Sequence, residues 1–258
     1  MTWVRDFEGI APVYYVFGNG KYGKGSEAVF SSDLVPFESK DFKSIASIEA
    51  LEQRDLDLTC DSLNGWEELL PNTLSALSHL KKNYDFDFII RTNLSTYWNK
   101  TATIRMIRDF NQQDVFAGPI IQQDTFRLIP GYAMVLSNNA IENILSNLNL
   151  LDSRVVDDVA ISRALDALSQ KFENVFVPWV TVKNYFELMR PKNRRESIRE
   201  NGIKSLSDLD KFPALRCRED RSIGSLSVRL DILHFLVIRV AIGLRRLLKF
   251  IESQTRVS

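Results

Sequence analysis

Short apolar runs alternate with stretches of helical period along most of this chain, and that alternation constrains the fold more tightly than any other feature. PVYYVF (12–17) is β-branched and aromatic and stops at Gly18-Asn19-Gly20, as a buried strand before a turn does. SDLVPFES (32–39) reads as a short extended segment, residues near 41–54 as a helix, and LDLTCDS (56–62) as another strand. From Trp66 to Asn83, Leu70, Leu74, Leu77 and Leu80 recur at helical spacing, which predicts a helix packed on a sheet. FDFII (86–90), short, apolar and cut off by the polar RTN, is the clearest strand. A helix follows from Asn99 or Lys100. Then come a strand in DVFAGPII (114–121), a strand-turn-helix in FRLIPGYAMVLSNNAIENILSN (126–147) and a helix in VVDDVAISRALDAL (155–168) with two acids at its start. ENVFVPWVTV (173–182) is a last strand-pair region. Strands alternating with helices through short loops predict an α/β domain with a mostly parallel sheet flanked by helices.

With 258 residues, 45% of them apolar and 26% charged, the chain can bury a sizeable core. Lys plus Arg equals Asp plus Glu, 33 each, which argues against nucleic-acid binding driven by bulk charge. Basic residues nevertheless gather after Arg190, in RPKNRRESIR, RCREDR and LRRLLK. Two cysteines, Cys60 and Cys217, are too few for a disulfide framework, so a reducing, cytoplasmic compartment is expected. The N-terminus lacks the charged and long apolar regions of a secretory signal, and no run of eighteen apolar residues occurs. LSVRLDILHFLVIRVAIGLRRLLKFI (226–251) reads as a long amphipathic helix dotted with arginines. Such a helix either lies in a membrane interface against anionic headgroups, at the inner face of a membrane, or docks on the rest of the chain or on a twin subunit. The loop GNGKYGKG (18–25) is either a phosphate cradle or simply flexible; its spacing matches neither a P-loop nor a dinucleotide fingerprint. His79 sits beside the leucine stripe with no ligand partner nearby in sequence, as a boundary residue does.

Between about residues 66 and 165 the order of elements is itself informative. Helix LPNTLSALSHL, strand FDFII, stop RTN, strand VFAGPII, the unit PGYAMVLSNNAIENIL and then VDDVAIS follow one another. The series resembles the GT-A glycosyltransferases, most closely the fringe and β1,3-galactosyltransferase-like group. In that group a strand ends in an acidic triplet, a G-Y-V-L-S segment opens a helix, and an acidic pair precedes valine. Gly131-Tyr132-Ala133-Met134-Val135-Leu136-Ser137 and Asp157-Asp158-Val159 match the last two. The resemblance implies a GT-A-like domain over 1–190, followed by a basic segment and a C-terminal helical extension over 191–258.

It also implies roles for residues. In most GT-A enzymes the acidic triplet holds Mg²⁺ or Mn²⁺ on the donor diphosphate. Here the matching positions are Asn93, Leu94 and Ser95, with no charged ligand among them, so metal binding there is not expected and no cofactor is predicted. Arginines supply the alternative, because charge-assisted hydrogen bonds also neutralise a leaving diphosphate. Arg91 stands at the strand end; Arg127, Arg154, Arg216, Arg218 and Arg221 are further candidates, and each taken alone equally fits a solvated surface position. Arg91, Thr92, Asn93, Ser95, Gly131 and Tyr132 then form the donor site, with Asn93 on ribose or sugar hydroxyls and the glycine giving close approach. Asp158 is the base that takes the acceptor proton, with Asp157 orienting it or touching the acceptor, and the resemblance requires Asn93 and Asp158 to converge on one cleft. Both acids equally suit a helix start, where the macrodipole favours them. Trp98 and Trp179 either stack on an acceptor sugar or belong to the core.

The expected activity is therefore transfer of a hexose or N-acetylhexosamine from a nucleotide sugar to a glycan or lipid-linked acceptor, with inversion and without a metal. Two rivals stand beside it: an inactive GT-A-like protein that binds glycan or nucleotide, and an assembly partner acting through its C-terminal helix.

Overall fold

In a computed structural model the described residues are 7, 11–18, 45, 48, 51–54, 57–60, 69–93, 96–110, 114–181 and 211–218. The leucine stripe is realised in helix α1 (Leu69–Asn83), whose Leu70, Leu74 and Leu77 are buried. Pro71 falls in its first turn, where a missing N–H costs no helical hydrogen bond. The chain is mixed α/β, and its contacts divide it into two units: Pro12–Arg91 with Gln112–Val175, and Met1–Ala11 with Thr92–Asn111 and Phe176–Ser258.

The first unit carries a sheet with strand order β10-β6-β9-β4. These strands are β4 (Phe88–Thr92, whose final residue falls in the second unit), β6 (Phe116–Gly118), β9 (Ala133–Ser137) and β10 (Phe172–Asn174). β10 runs parallel to β6, and β6 antiparallel to β9. Helices α3 (Asn138–Ser146) and α4 (Asp157–Ala167) complete the unit's core with α1. Leu70, Leu74, Phe116, Met134, Leu136, Ile141, Ile144, Ile161 and Leu165 form that core, each less than 2% exposed. Ser137 ends β9 and caps α3, its Oγ accepting from the Ala140 amide at 3.2 Å. That is why the GYAMVLS stretch passes from strand to helix without a loop.

A smaller sheet in the same unit has β3 (Asp57–Cys60) between β1 (Tyr15–Gly18) and β2 (Leu51–Arg54). β3 is parallel to β1 and antiparallel to β2. A two-stranded ribbon, β7 (Ile121–Gln122) with β8 (Arg127–Leu128), stands between β6 and β9 in sequence. The second unit has its own sheet, in which β12 (Ala214–Arg218) lies between β11 (Trp179–Thr181) and β5 (Thr96–Trp98). Helix α2 (Lys100–Asp109) follows β5, capped by Asn99, whose Oδ1 accepts from the Ala102 amide at 3.3 Å. A strand from beyond residue 190 is thus central to this sheet.

Three expectations are corrected. The sheets are mixed rather than mostly parallel, because β6 reaches β9 through a hairpin ribbon instead of a helical crossover. Residues 51–54, expected at the end of a helix, form β2: the segment pairs antiparallel with β3, Arg54 opposite Asp57, and pairing overrides local preference. The strand FDFII is shifted, so that β4 runs through Arg91 and Thr92 and the polar residues lie on the strand itself. The extended segment at 32–39, the loop at 19–25 and the helix at 226–251 lie outside the described residues.

Gly118 shows how closely β6 meets its surroundings. A Cβ added there would overlap the Ala133 carbonyl oxygen and Ile129 Cγ2, a backbone atom and a fully buried side chain. Gly118→Ala should therefore destabilise the fold by about 2 kcal/mol through overpacking, read as a lower urea midpoint at unchanged slope.

Candidate functional site

The N-terminal turn of α4 carries adjacent carboxylates with opposite surroundings. Asp157 is 2% exposed. Its Oδ2 accepts from Arg91 Nη2 at 2.7 Å, from Arg91 Nε at 3.0 Å and from Thr73 Oγ1 at 2.7 Å. The pair is therefore a buried salt bridge with an added hydroxyl, the geometry that lets a carboxylate stay charged inside a protein. Three elements meet on one oxygen: α1 through Thr73, β4 through Arg91, and α4 itself. The guanidinium makes one more bond, from Nη1 to the carbonyl oxygen of Gly131. A Cβ on residue 131 would overlap Nη1 and Cζ of Arg91, so glycine is required for the guanidinium to lie against the turn. The close approach observed at Gly131 is that of Arg91, where the resemblance had implied a donor sugar.

Asp158 is only half-buried, and among the described residues no cation is bonded to it. Its Oδ2 accepts from the Gly131 amide at 2.9 Å and its Oδ1 from the Val159 amide at 2.9 Å. A carboxylate has about four acceptor positions, so capacity remains on both oxygens for a hydroxyl proton. Burial pushes the Asp158 carboxyl above the ordinary range, and the charge on Asp157 adds to this. The Gly131 and Val159 amides and the Arg91 charge oppose it without cancelling it. Tyr132 sits beside this turn, half-buried.

In the second unit, Asn93 follows β4. Asn93 Oδ1 accepts from Thr96 Oγ1 at 3.1 Å and from Nη1 of Arg216, which arrives on β12. Thr92 Oγ1 accepts from Trp98 Nε1 at 2.9 Å. Trp98 is 1% exposed and belongs to the core, so it offers no stacking face. Of the residues at the expected metal position, Asn93 is the one described. A guanidinium faces the one described side-chain oxygen there, and an oxygen taken by a positive donor is a poor ligand for a second positive charge. Ser95 lies outside the described residues, as do Arg221 and the side chains of Trp179 and Arg218.

Two further arginines are engaged elsewhere. Arg127 forms an ion pair with Asp166 at 2.6 Å and stacks on the Phe172 ring at 4.0 Å. Arg154 pairs with buried Asp152 at 2.9 Å, also in the first unit. Of the sequence candidates, Arg91, Gly131, Asp157 and Asp158 come together in the first unit, and Asn93 and Arg216 come together in the second. Thr73 escaped the sequence reading: it lies one position from the leucine stripe, and nothing local marks it as facing a buried acid.

Compared with known proteins, the chain matches no family model and no curated protein sequence. Among the described residues no helix is long and apolar enough to cross a membrane.

Asp157→Asn and Arg91→Met should each cost about 3 kcal/mol, because each strands a buried partner. The double variant should cost less than the two together, which a double-mutant cycle in urea would reveal. The raised Asp158 carboxyl gives a second outcome. The folded state holds its proton more tightly than the unfolded state, so this group lowers stability increasingly as pH rises from the ordinary carboxylate range through the raised folded value. The stability of the protein relative to Asp158→Asn should accordingly improve as pH falls from 7 towards that range. A difference that grows with pH instead would contradict the burial argument.

Proposed function

We propose that this chain is a GT-A-like, metal-independent, inverting glycosyltransferase in which Asp158 is the catalytic base. The observation that carries the reading is the setting of Asp158: a partly accessible carboxylate of raised proton affinity, anchored by two backbone amides and left with unused acceptor positions. Proton affinity above the ordinary carboxylate range brings a base nearer to the operating pH, where proton transfer is most efficient.

In this reading the acceptor hydroxyl gives its proton to Asp158 as its oxygen bonds to the anomeric carbon of the donor. The bond from that carbon to the diphosphate breaks on the opposite side, and the nucleoside diphosphate departs with the electron pair. Neutralisation of the departing diphosphate by arginine rather than by a metal ion belongs to this reading. Asp157 is a structural counter-ion to Arg91, which leaves Asp158 as the carboxylate available for chemistry. Transfer to a glycan or lipid-linked acceptor, at the cytoplasmic face of a membrane through residues 226–251, belongs to the same proposal.

A second reading has an observation in its favour. Both Asp158 oxygens already accept backbone amides at a helix start, an arrangement that a purely structural cap also explains. A protein so built binds nucleotide or glycan without turnover.

Calorimetric titration with uridine, guanosine and cytidine diphosphates should find at least one that binds. Transfer from the matching nucleotide sugar should persist in EDTA and fall about 100-fold or more in Asp158→Asn. Binding without transfer supports the second reading, and binding of none of the three overturns both.

A further inference from the structure

Arg91 has two engagements that converge on Asp158 from different directions. Through Nη2 and Nε it neutralises Asp157, the residue next to Asp158 in the chain. Through Nη1 it holds the carbonyl of Gly131, whose own amide donates to Asp158 Oδ2 at 2.9 Å. One guanidinium thus fixes both the charge beside Asp158 and the peptide that grips it. With the side chain 21% exposed, most of its donor fork faces protein.

We propose that Arg91 is a positioning residue for Asp158, and that it does not bind the donor phosphates. The inference rests on the reading of Asp158 as the base, and it replaces the role that the sequence suggested for Arg91. Lysine cannot reproduce the arrangement: it is a point charge on a flexible stem, whereas the planar fork reaches a carboxylate and a carbonyl at once. Thr73 acts in the same network from α1, giving Asp157 a third donor and limiting where its carboxylate can rotate.

Among the described residues few other charges bear on this site. Among the described elements packed on α4, β8 carries Arg127, which is paired with Asp166. α1 presents neutral Thr73 to Asp157 and carries Lys81 and Lys82 in its last turn, and α3 carries Glu142, paired with Lys81 at 2.8 Å. Among the described residues, Asp157 and Arg91 are the charged groups that act on the Asp158 carboxyl. Removing the Arg91 cation therefore leaves two uncompensated neighbouring carboxylates, and the Asp158 proton affinity must rise further.

The test uses the full chain with ¹³C-labelled aspartate, following the Asp158 carboxyl by NMR as pH is varied. Asp158→Asn identifies its resonance. Arg91→Met and Arg91→Lys should both move the Asp158 midpoint upward, more for Met than for Lys. Because Arg91→Met also strands Asp157 and loses stability, Gly131→Ala provides a second route. There Arg91 remains in the chain but the new Cβ drives its guanidinium off the turn, and the midpoint should again rise. In transfer assays the Arg91 variants should lose about 100-fold in kcat through misplacement of the base, while the Kd for the nucleoside diphosphate stays unchanged. The proposal is overturned if the Asp158 midpoint does not move, or if diphosphate affinity falls while kcat holds. A protein that shows no transfer at all, yet whose Asp158 midpoint rises in these variants, keeps the positioning role and rejects only the base reading.

Discussion

The ion pair between Arg91 and Asp157 is the interaction on which the arrangement of the first unit's polar end depends. Three structural elements and one turn meet at a single carboxylate and a single guanidinium. A buried charge without a partner is costly enough that each of these groups enforces the position of the other. The pair also sits where apolar packing no longer determines geometry. The leucine core of α1, β9 and α4 aligns those elements, but apolar contacts are not directional and do not fix a strand end against a helix start to within a hydrogen bond. Charge-assisted hydrogen bonds do.

That division of labour produces an asymmetry between two neighbours of identical chemistry. Asp157 and Asp158 both enjoy the positive end of α4. Only one can meet Arg91, because successive residues of a helix point about 100° apart. The residue that turns towards the core takes the cation and becomes structural. The other keeps two amide donors, a like-charged neighbour and partial burial, and its proton is held more tightly than an ordinary carboxyl would hold it. Local surroundings thus give two neighbouring acids separate roles.

The sequence made much of this legible. The stripe at Leu70, Leu74 and Leu77 set α1, the GYAMVLS segment pointed to the start of α3, and Asn99 marked the start of α2. Asp157 and Asp158 were recognisable as a pair at a helix start. What the sequence concealed was which residues meet across distance. Leu51–Arg54 becomes a strand because β3 is available to pair with it, a fact about residues 57–60. The antiparallel placing of β9 depends on the β7–β8 ribbon, whose two-residue strands are too short to leave a periodic signal. Thr73 meets Asp157 across 84 positions of chain, and Arg216 meets Asn93 across 123. Arginines were identified as a class able to replace a metal, but charge alone could not say that Arg91, Arg127 and Arg154 have carboxylate partners.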